Sequence, residues 1–194
     1  MPDKPMIIVF AGANGSGKST MTDLILPTLD GIRYINADNI KANSSLDEME
    51  SAKLAESLRE ECLLEGYSFT FETVLSTPRN LNLLKRAKDK GYFIKVVYVV
   101  TESPDINKMR VSSRADAGGH DVPEDKIVSR YYKSQSLMKD VIEISDICHI
   151  YDNSDYPVRI FKKRKEECFA EYTDYWTKDR VIELTGCSNL VENS

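Results

Sequence analysis

Residues Gly12 to Ser19 read Gly-Ala-Asn-Gly-Ser-Gly-Lys-Ser, a complete match to the pattern GxxxxGK followed by Ser or Thr. Placed between a strand and a helix, such a segment cradles phosphates. Its glycines let backbone N–H groups turn inward, and the helix N-terminus adds positive dipole. On this reading Gly12, Ala13, Asn14, Gly15, Ser16, Gly17, Lys18, Ser19 and Thr20 make a nucleotide-binding loop. Lys18 is expected to reach the β- and γ-phosphates and Ser19 to be a ligand to Mg²⁺, with Thr20 nearby.

Moving a γ-phosphoryl group also needs an acceptor hydroxyl in line, a carboxylate to take its proton, and cations for the equatorial oxygens. Asp38, in Tyr34-Ile-Asn-Ala-Asp38, is the candidate base, because it follows a short strand and the carboxyl ends of parallel strands converge on the ligand crevice. The structural alternative is an N-cap for a short helix at Asn39. Glu72 and Thr73 end the apolar segment Phe69-Thr-Phe-Glu-Thr73 and are expected to bind the acceptor or assist Mg²⁺. An unpaired carboxylate there would be costly outside a cleft, although pairing to an arginine is an alternative. Arg110 and Arg114 share a helix face ahead of Gly118-Gly119, as a lid closing over phosphates would require, and Arg130 can join them. A solvated basic face is the competing reading. His120 is a candidate substrate contact or a loop stabiliser.

Other nucleotide-binding classes fit less well. No Asn-Lys-x-Asp base-reading motif occurs, Asp116-Ala-Gly-Gly119 follows a helix rather than a strand, and no apolar strand ends in Asp-Asp or Asp-Glu. What remains is a compact kinase with an acceptor pocket beside the loop.

The elements that must position these residues alternate. Met6 to Phe10 is an unbroken apolar run, as a strand buried on both faces requires, and it feeds the glycine loop and a helix ended near Pro27. Further strands are expected at 32–35, 67–75, 92–100 and 146–151. Helices are expected from the capping box Ser45-Leu-Asp-Glu48 to Gly66, from Pro78 to Gly91, from Pro104 to Asp116, and as one long helix from Pro123. This rhythm predicts an α/β P-loop NTPase fold with about five mainly parallel strands and helices on both faces. The core covers about 5–155; 156–194 form a small C-terminal appendage. There an antiparallel pair, 158–161 and 168–172, flanks an exposed basic turn at Lys162 to Lys165, and a helix spans 173–184. The whole of 1–194 reads as a single domain.

The chain has 194 residues, 26 Lys+Arg against 31 Asp+Glu, and 41% hydrophobic residues. That supports a buried core and, with a net charge of −5, argues against a nucleic-acid-binding surface. No apolar stretch is long enough for a membrane span and no signal peptide is apparent, so a cytoplasmic location is expected. Cys62, Cys148, Cys168 and Cys187 are scattered, which favours buried free thiols over a zinc site or disulfide framework.

The ordered set Gly12 to Thr20, Asn36-Ala-Asp38, Glu72-Thr73, Gly91-Tyr92 before a valine-rich strand, Arg110 with Arg114, Gly118-Gly-His120-x-Val-Pro123 and Tyr151-Asp-Asn-Ser154 resembles the zeta toxin family of P-loop kinases. The resemblance implies ATP and Mg²⁺ as cofactors and phosphorylation of a small-molecule hydroxyl, with a nucleotide sugar such as UDP-N-acetylglucosamine favoured. It implies that Lys18 and Ser19 hold phosphate and Mg²⁺, Asp38 is the base, Glu72 and Thr73 contact the acceptor, and Arg114 with Arg110 or Arg130 stabilises the transition state. The chain resembles the compact, stand-alone branch of that family, and a separate antitoxin protein is a further implied partner. A nucleotide-dependent ATPase or switch module that binds a protein is the alternative reading; a kinase of polynucleotide ends is disfavoured by the acidic balance.

Overall fold

A computed structural model describes residues 4–119 and 121–192. The run from Met6 becomes β1 (Met6–Ala11), buried from Ile7 onward. It pairs in parallel with β3 (Phe69–Thr73) on one side and β4 (Phe93–Val100) on the other, which sets Ala11 beside Thr73 and Tyr98. The short β2 (Arg33–Tyr34) lies outside β3, and β5 (Ile147–Asp152) lies outside β4. The five parallel strands therefore run in the order β2-β3-β1-β4-β5, with their carboxyl ends along one rim.

Helices cover both faces of this central region. Met21 of α1 (Lys18–Ile25) packs on the face carrying Ile8, Phe10, Val97 and Val99. The opposite face, with Ile7, Val9, Val96 and Tyr98, is covered by α3 (Glu48–Glu65), α4 (Pro78–Asp89), α7 (Met138–Ile144) and α8 (Lys178–Thr185). The short α2 (Ala37–Ala42) follows β2, while α5 (Pro104–Asp116) and α6 (Glu124–Ser136) join β4 to α7.

Several boundaries differ from the sequence expectation. The capping box at α3 is Asp47 with Glu50, both reciprocal bonds being formed, and the helix ends at Gly66 in the left-handed conformation as expected. The long helix from Pro123 is divided at Leu137 into α6 and α7. The sheet also has eight strands rather than about five, because β6 (Val158–Arg164), β7 (Glu167–Ala170) and β8 (Leu190–Glu192) extend it past β5. β6 is antiparallel to both β5 and β7, and β8 runs parallel to β7.

The basic run corrects a second expectation. Lys162, Lys163 and Arg164 belong to β6, leaving Lys165 and Glu166 as the turn. Lys163 is buried, and its ammonium donates to the carbonyls of Ile142 at 2.6 Å and Glu143 at 3.1 Å. It thus adds a charged donor at the carbonyl end of α7, where Ile142 O also accepts from Ser145 Oγ at 2.9 Å, and a cation there meets the negative end of the helix dipole. The C-terminal helix starts later than expected, at Lys178, because residues 173–176 form a turn closed by Trp176 N donating to Thr173 Oγ1.

Candidate active site

The glycine-rich loop leaves β1 and enters α1 through Gly17, whose φ of 92° is left-handed. A side chain is excluded there twice over: the backbone conformation disfavours it, and a Cβ would lie 2.1 Å from Asn153 Nδ2. Neighbouring elements hold the loop. Asn153 Nδ2 donates to Ser16 O at 2.8 Å, Asn107 Nδ2 donates to Asn14 O at 2.6 Å, and Arg130 donates to Asn14 Oδ1 at 3.2 Å. Asn107 is itself fixed by the Thr101 hydroxyl, which donates to its Oδ1. Residues from the ends of β4 and β5 and from α5 and α6 therefore fix the backbone before any phosphate arrives, which is preorganisation.

Beyond the loop lies a cavity of about 320 Å³, lined by Asn14, Lys18, Ser19, Asp38, Glu72, Thr73 and Arg114, and also by Arg59, Lys41 and Glu48. The half-buried Lys18 ammonium is held below the ordinary lysine range by burial, and Arg114 and Arg130 push the same way. Glu72 and Asp38 oppose that shift. Five charges from β3 and from α1, α2, α5 and α6 thus converge on one place.

Glu72 is held at both oxygens. Its Oε2 accepts from Ser19 Oγ at 3.0 Å and its Oε1 from Tyr34 OH at 2.9 Å, and Asn36 Nδ2 donates to that phenol oxygen at 2.7 Å. Burial and the adjacent carboxylate raise the Tyr34 phenol above its ordinary range, so it stays a donor. Ser19 Oγ and Glu72 Oε2 are adjacent hard oxygen donors at the start of a helix. That chemistry suits Mg²⁺, which binds through one or two side chains plus phosphate oxygens and water.

The Asp38 alternative is decided by its neighbour. Asn36 is the N-cap of α2, its Oδ1 accepting from Asp38 N at 2.7 Å and Asn39 N at 3.2 Å. Asp38 is therefore in the first turn, and its carboxylate lines the cavity without serving as the cap. Thr73 also lines the cavity, but its Oγ1 already accepts from Leu75 N at 2.9 Å and Asn80 Nδ2 at 2.7 Å, leaving it a proton to donate.

The two arginines of α5 separate. Arg114 lines the cavity. Arg110 instead donates to the carbonyls of Asn153 at 2.7 Å and Ser154 at 2.9 Å, where it steadies the segment that steadies the loop. Arg130 acts on Asn14, Thr20 is exposed on α1, and His120 lies outside the described residues. Sequence reasoning missed Tyr34, Asn107 and Arg59. Of these only Tyr34 carried a signal, its place two residues before Asn36 at the end of a strand.

The fold and cavity together define a P-loop α/β protein. The family model described as Zeta toxin matches residues 1–166, and the chain belongs to the zeta toxin family. A Haemophilus influenzae (strain ATCC 51907 / DSM 11121 / KW20 / Rd) protein described only as uncharacterized is 28% identical over 130 residues, 64% of this chain and 91% of the relative. Among solved structures, one from the PezAT chromosomal toxin-antitoxin system of Streptococcus pneumoniae superposes with a TM-score of 0.64 at 17% identity, covering 95% of this chain and 79% of that one. The AvrRxo1-ORF1:-ORF2 structure with ATP gives a TM-score of 0.70 at 16% identity, covering 87% of this chain and 61% of that one. At these identities the likeness is one of fold. Among the described residues, no helix is long and apolar enough to cross a membrane.

Proposed function

We propose that this protein is an ATP- and Mg²⁺-dependent kinase that moves the γ-phosphoryl group to a hydroxyl of a small acceptor seated in the 320 Å³ cavity, a nucleotide sugar being the first candidate. The observation that carries this reading is that Asp38, Lys18 and Arg114, from three different helices, line one cavity at the mouth of the phosphate loop. The AvrRxo1 structure with ATP and membership of the zeta toxin family support the choice of nucleotide and chemistry.

In this mechanism the loop N–H groups and Lys18 grip the β- and γ-phosphates, and the acceptor enters from the side of α2. Asp38 takes the hydroxyl proton as the acceptor oxygen bonds to the γ-phosphorus and the bond to the ADP oxygen breaks. Lys18 and Arg114 neutralise charge on the transferring group, and Arg130, through Asn14, keeps the loop in register. Ser19 and Glu72 would hold Mg²⁺, which when bound would supply further charge neutralisation. Glu72 and Thr73 then face the acceptor from the end of β3, Arg110 braces the 153–154 segment that holds the loop, and His120, by the sequence argument, is a further substrate contact. We further propose that 1–194 act as one domain in the cytoplasm, and that a separate antitoxin is a partner; the PezAT system supports the last point.

The test is an acceptor screen. Protein, ATP and Mg²⁺ are incubated with pools of nucleotide sugars, nucleosides and small alcohols, and products are read by mass spectrometry. One compound gaining one phosphate, with matching ADP release, is expected. No phosphorylated compound in any pool, together with ATP-dependent capture of a protein partner, would instead establish the switch reading.

A further inference from the structure

The far end of the sheet carries a thiol cluster that the phosphate chemistry does not use. Cys148 of β5 sits opposite Lys163 of β6, and Lys163 sits opposite Cys168 of β7, so the three form a row across adjacent strands. Cys187 follows Gly186, the residue that ends α8, and its sulfur lies 3.0 Å from that of Cys168. All four cysteines are free, with Cys168 buried and Cys187 half-buried. Two sulfurs this close need only about 1 Å of approach to reach a disulfide length.

We propose that Cys168 and Cys187 are a modification site at which a hydroperoxide drives formation of a reversible disulfide, fastening the end of α8 to β7. The chemistry assigns each sulfur a part. Burial pushes the Cys168 thiol up to about 12, with Cys187 beside it adding to the shift, so Cys168 is the poorer first nucleophile. Cys187, the more accessible of the two, loses its proton to solvent and attacks the peroxide O–O bond. It becomes a sulfenic acid, and the other peroxide oxygen leaves as an alcohol, or as water when the oxidant is hydrogen peroxide. Cys168 sulfur then attacks the sulfenic sulfur, its proton and the sulfenic hydroxyl leaving as water. Two thiols lose two electrons and two protons in all, and one O–O bond is reduced.

The residues enclosed by this link include Tyr175, Trp176, Arg180 and Glu183, which with Glu102, Tyr131 and Tyr132 line a separate cavity of about 530 Å³. Oxidation would therefore fix one wall of that cavity to the sheet. The site stands apart from the phosphate loop and does not depend on the kinase reading.

The full-length protein is treated with hydrogen peroxide at a few equivalents, quenched, alkylated in denaturant, digested and analysed by mass spectrometry. The expected result is a linked peptide pair containing Cys168 and Cys187, two fewer titratable thiols, reversal by dithiothreitol, and a Tm roughly 5–10 °C higher while oxidised. Cys187→Ser should abolish both the link and the Tm rise, and Cys168→Ser should stop at a sulfenic acid trapped by dimedone, whereas Cys148→Ser should still form the link. A link through Cys148, oxidation of Cys187 to a sulfinic acid without any link, or retention of all four thiols would each overturn the proposal.

Discussion

Ser19 on the first turn of α1 and Glu72 at the end of β3 are 53 residues apart in sequence, yet the serine hydroxyl donates to the Glu72 carboxylate at 3.0 Å. The parallel pairing of β1 with β3, which sets Phe10 against Glu72, is what brings them together. The serine proposed to hold Mg²⁺ is thereby given a charged neighbour that the loop motif does not contain.

That relationship predicts a metal phenotype. Glu72→Gln keeps the shape and removes the charge, so half-saturation by Mg²⁺ should shift about 10- to 100-fold upward, while ATP binding measured without metal stays near wild type. A Mg²⁺ titration of activity gives the answer, with Tyr34→Phe expected to show a smaller shift of the same sign. An unaltered titration curve would place the metal elsewhere.

The brace between Asn153 and the loop predicts coupling. Asn153→Ala removes the donor to Ser16 O and should weaken ATP binding by about 5- to 10-fold, roughly the value of one hydrogen bond. Gly17→Ala should be worse, since it adds a left-handed alanine to a collision with Asn153 Nδ2. In the double variant the collision disappears but the backbone cost does not, so calorimetric binding energies should be less than additive. Strict additivity would mean that the two residues do not press on each other.

How much of this was legible in the sequence follows from what each residue depends on. The phosphate loop and Glu72 lie at carboxyl ends of strands whose apolar runs are plain, and Asp38 follows the short β2 that pairs in parallel beside β3, so their convergence follows from parallel topology. Arg110 and Arg114 share a helix face in sequence, yet one binds carbonyls of the 153–154 segment and the other lines the cavity. Spacing reports the face of a helix, not what faces it. Lys163 was misread for a related reason: a run of charge suggests solvent, whereas burial of one lysine depended on the carbonyl end of α7 arriving from elsewhere in the chain. Asn107 left no local trace, because its role depends on Thr101 and Asn14 together.

His149 predicts a pH dependence of stability. Burial, then the positive charges of Lys95, Arg159 and Lys162, lowers it to about 4 from its ordinary value of 6.5. Above 6.5 it is neutral in both folded and unfolded chains and contributes no slope. As pH falls from 6.5 towards 4 the unfolded chain takes up a proton that the folded chain refuses, so stability is lost across that window. Allowing for screening at a half-buried site, the loss should be about 1–2 kcal/mol. Urea unfolding at pH 7.5 and 4.5 should show a smaller drop for His149→Gln than for wild type, and identical drops would assign the acid sensitivity to the carboxylates.

The central claim is that Asp38 accepts the proton from an alcohol attacking the γ-phosphorus. Once the screen has supplied an acceptor, the decisive measurement is single-turnover phosphorylation by Asp38→Asn, with ATP affinity measured alongside. The account predicts turnover about 10²- to 10⁴-fold slower with ATP affinity within about twofold of wild type. Phosphoryl transfer at the wild-type rate in that variant would contradict it.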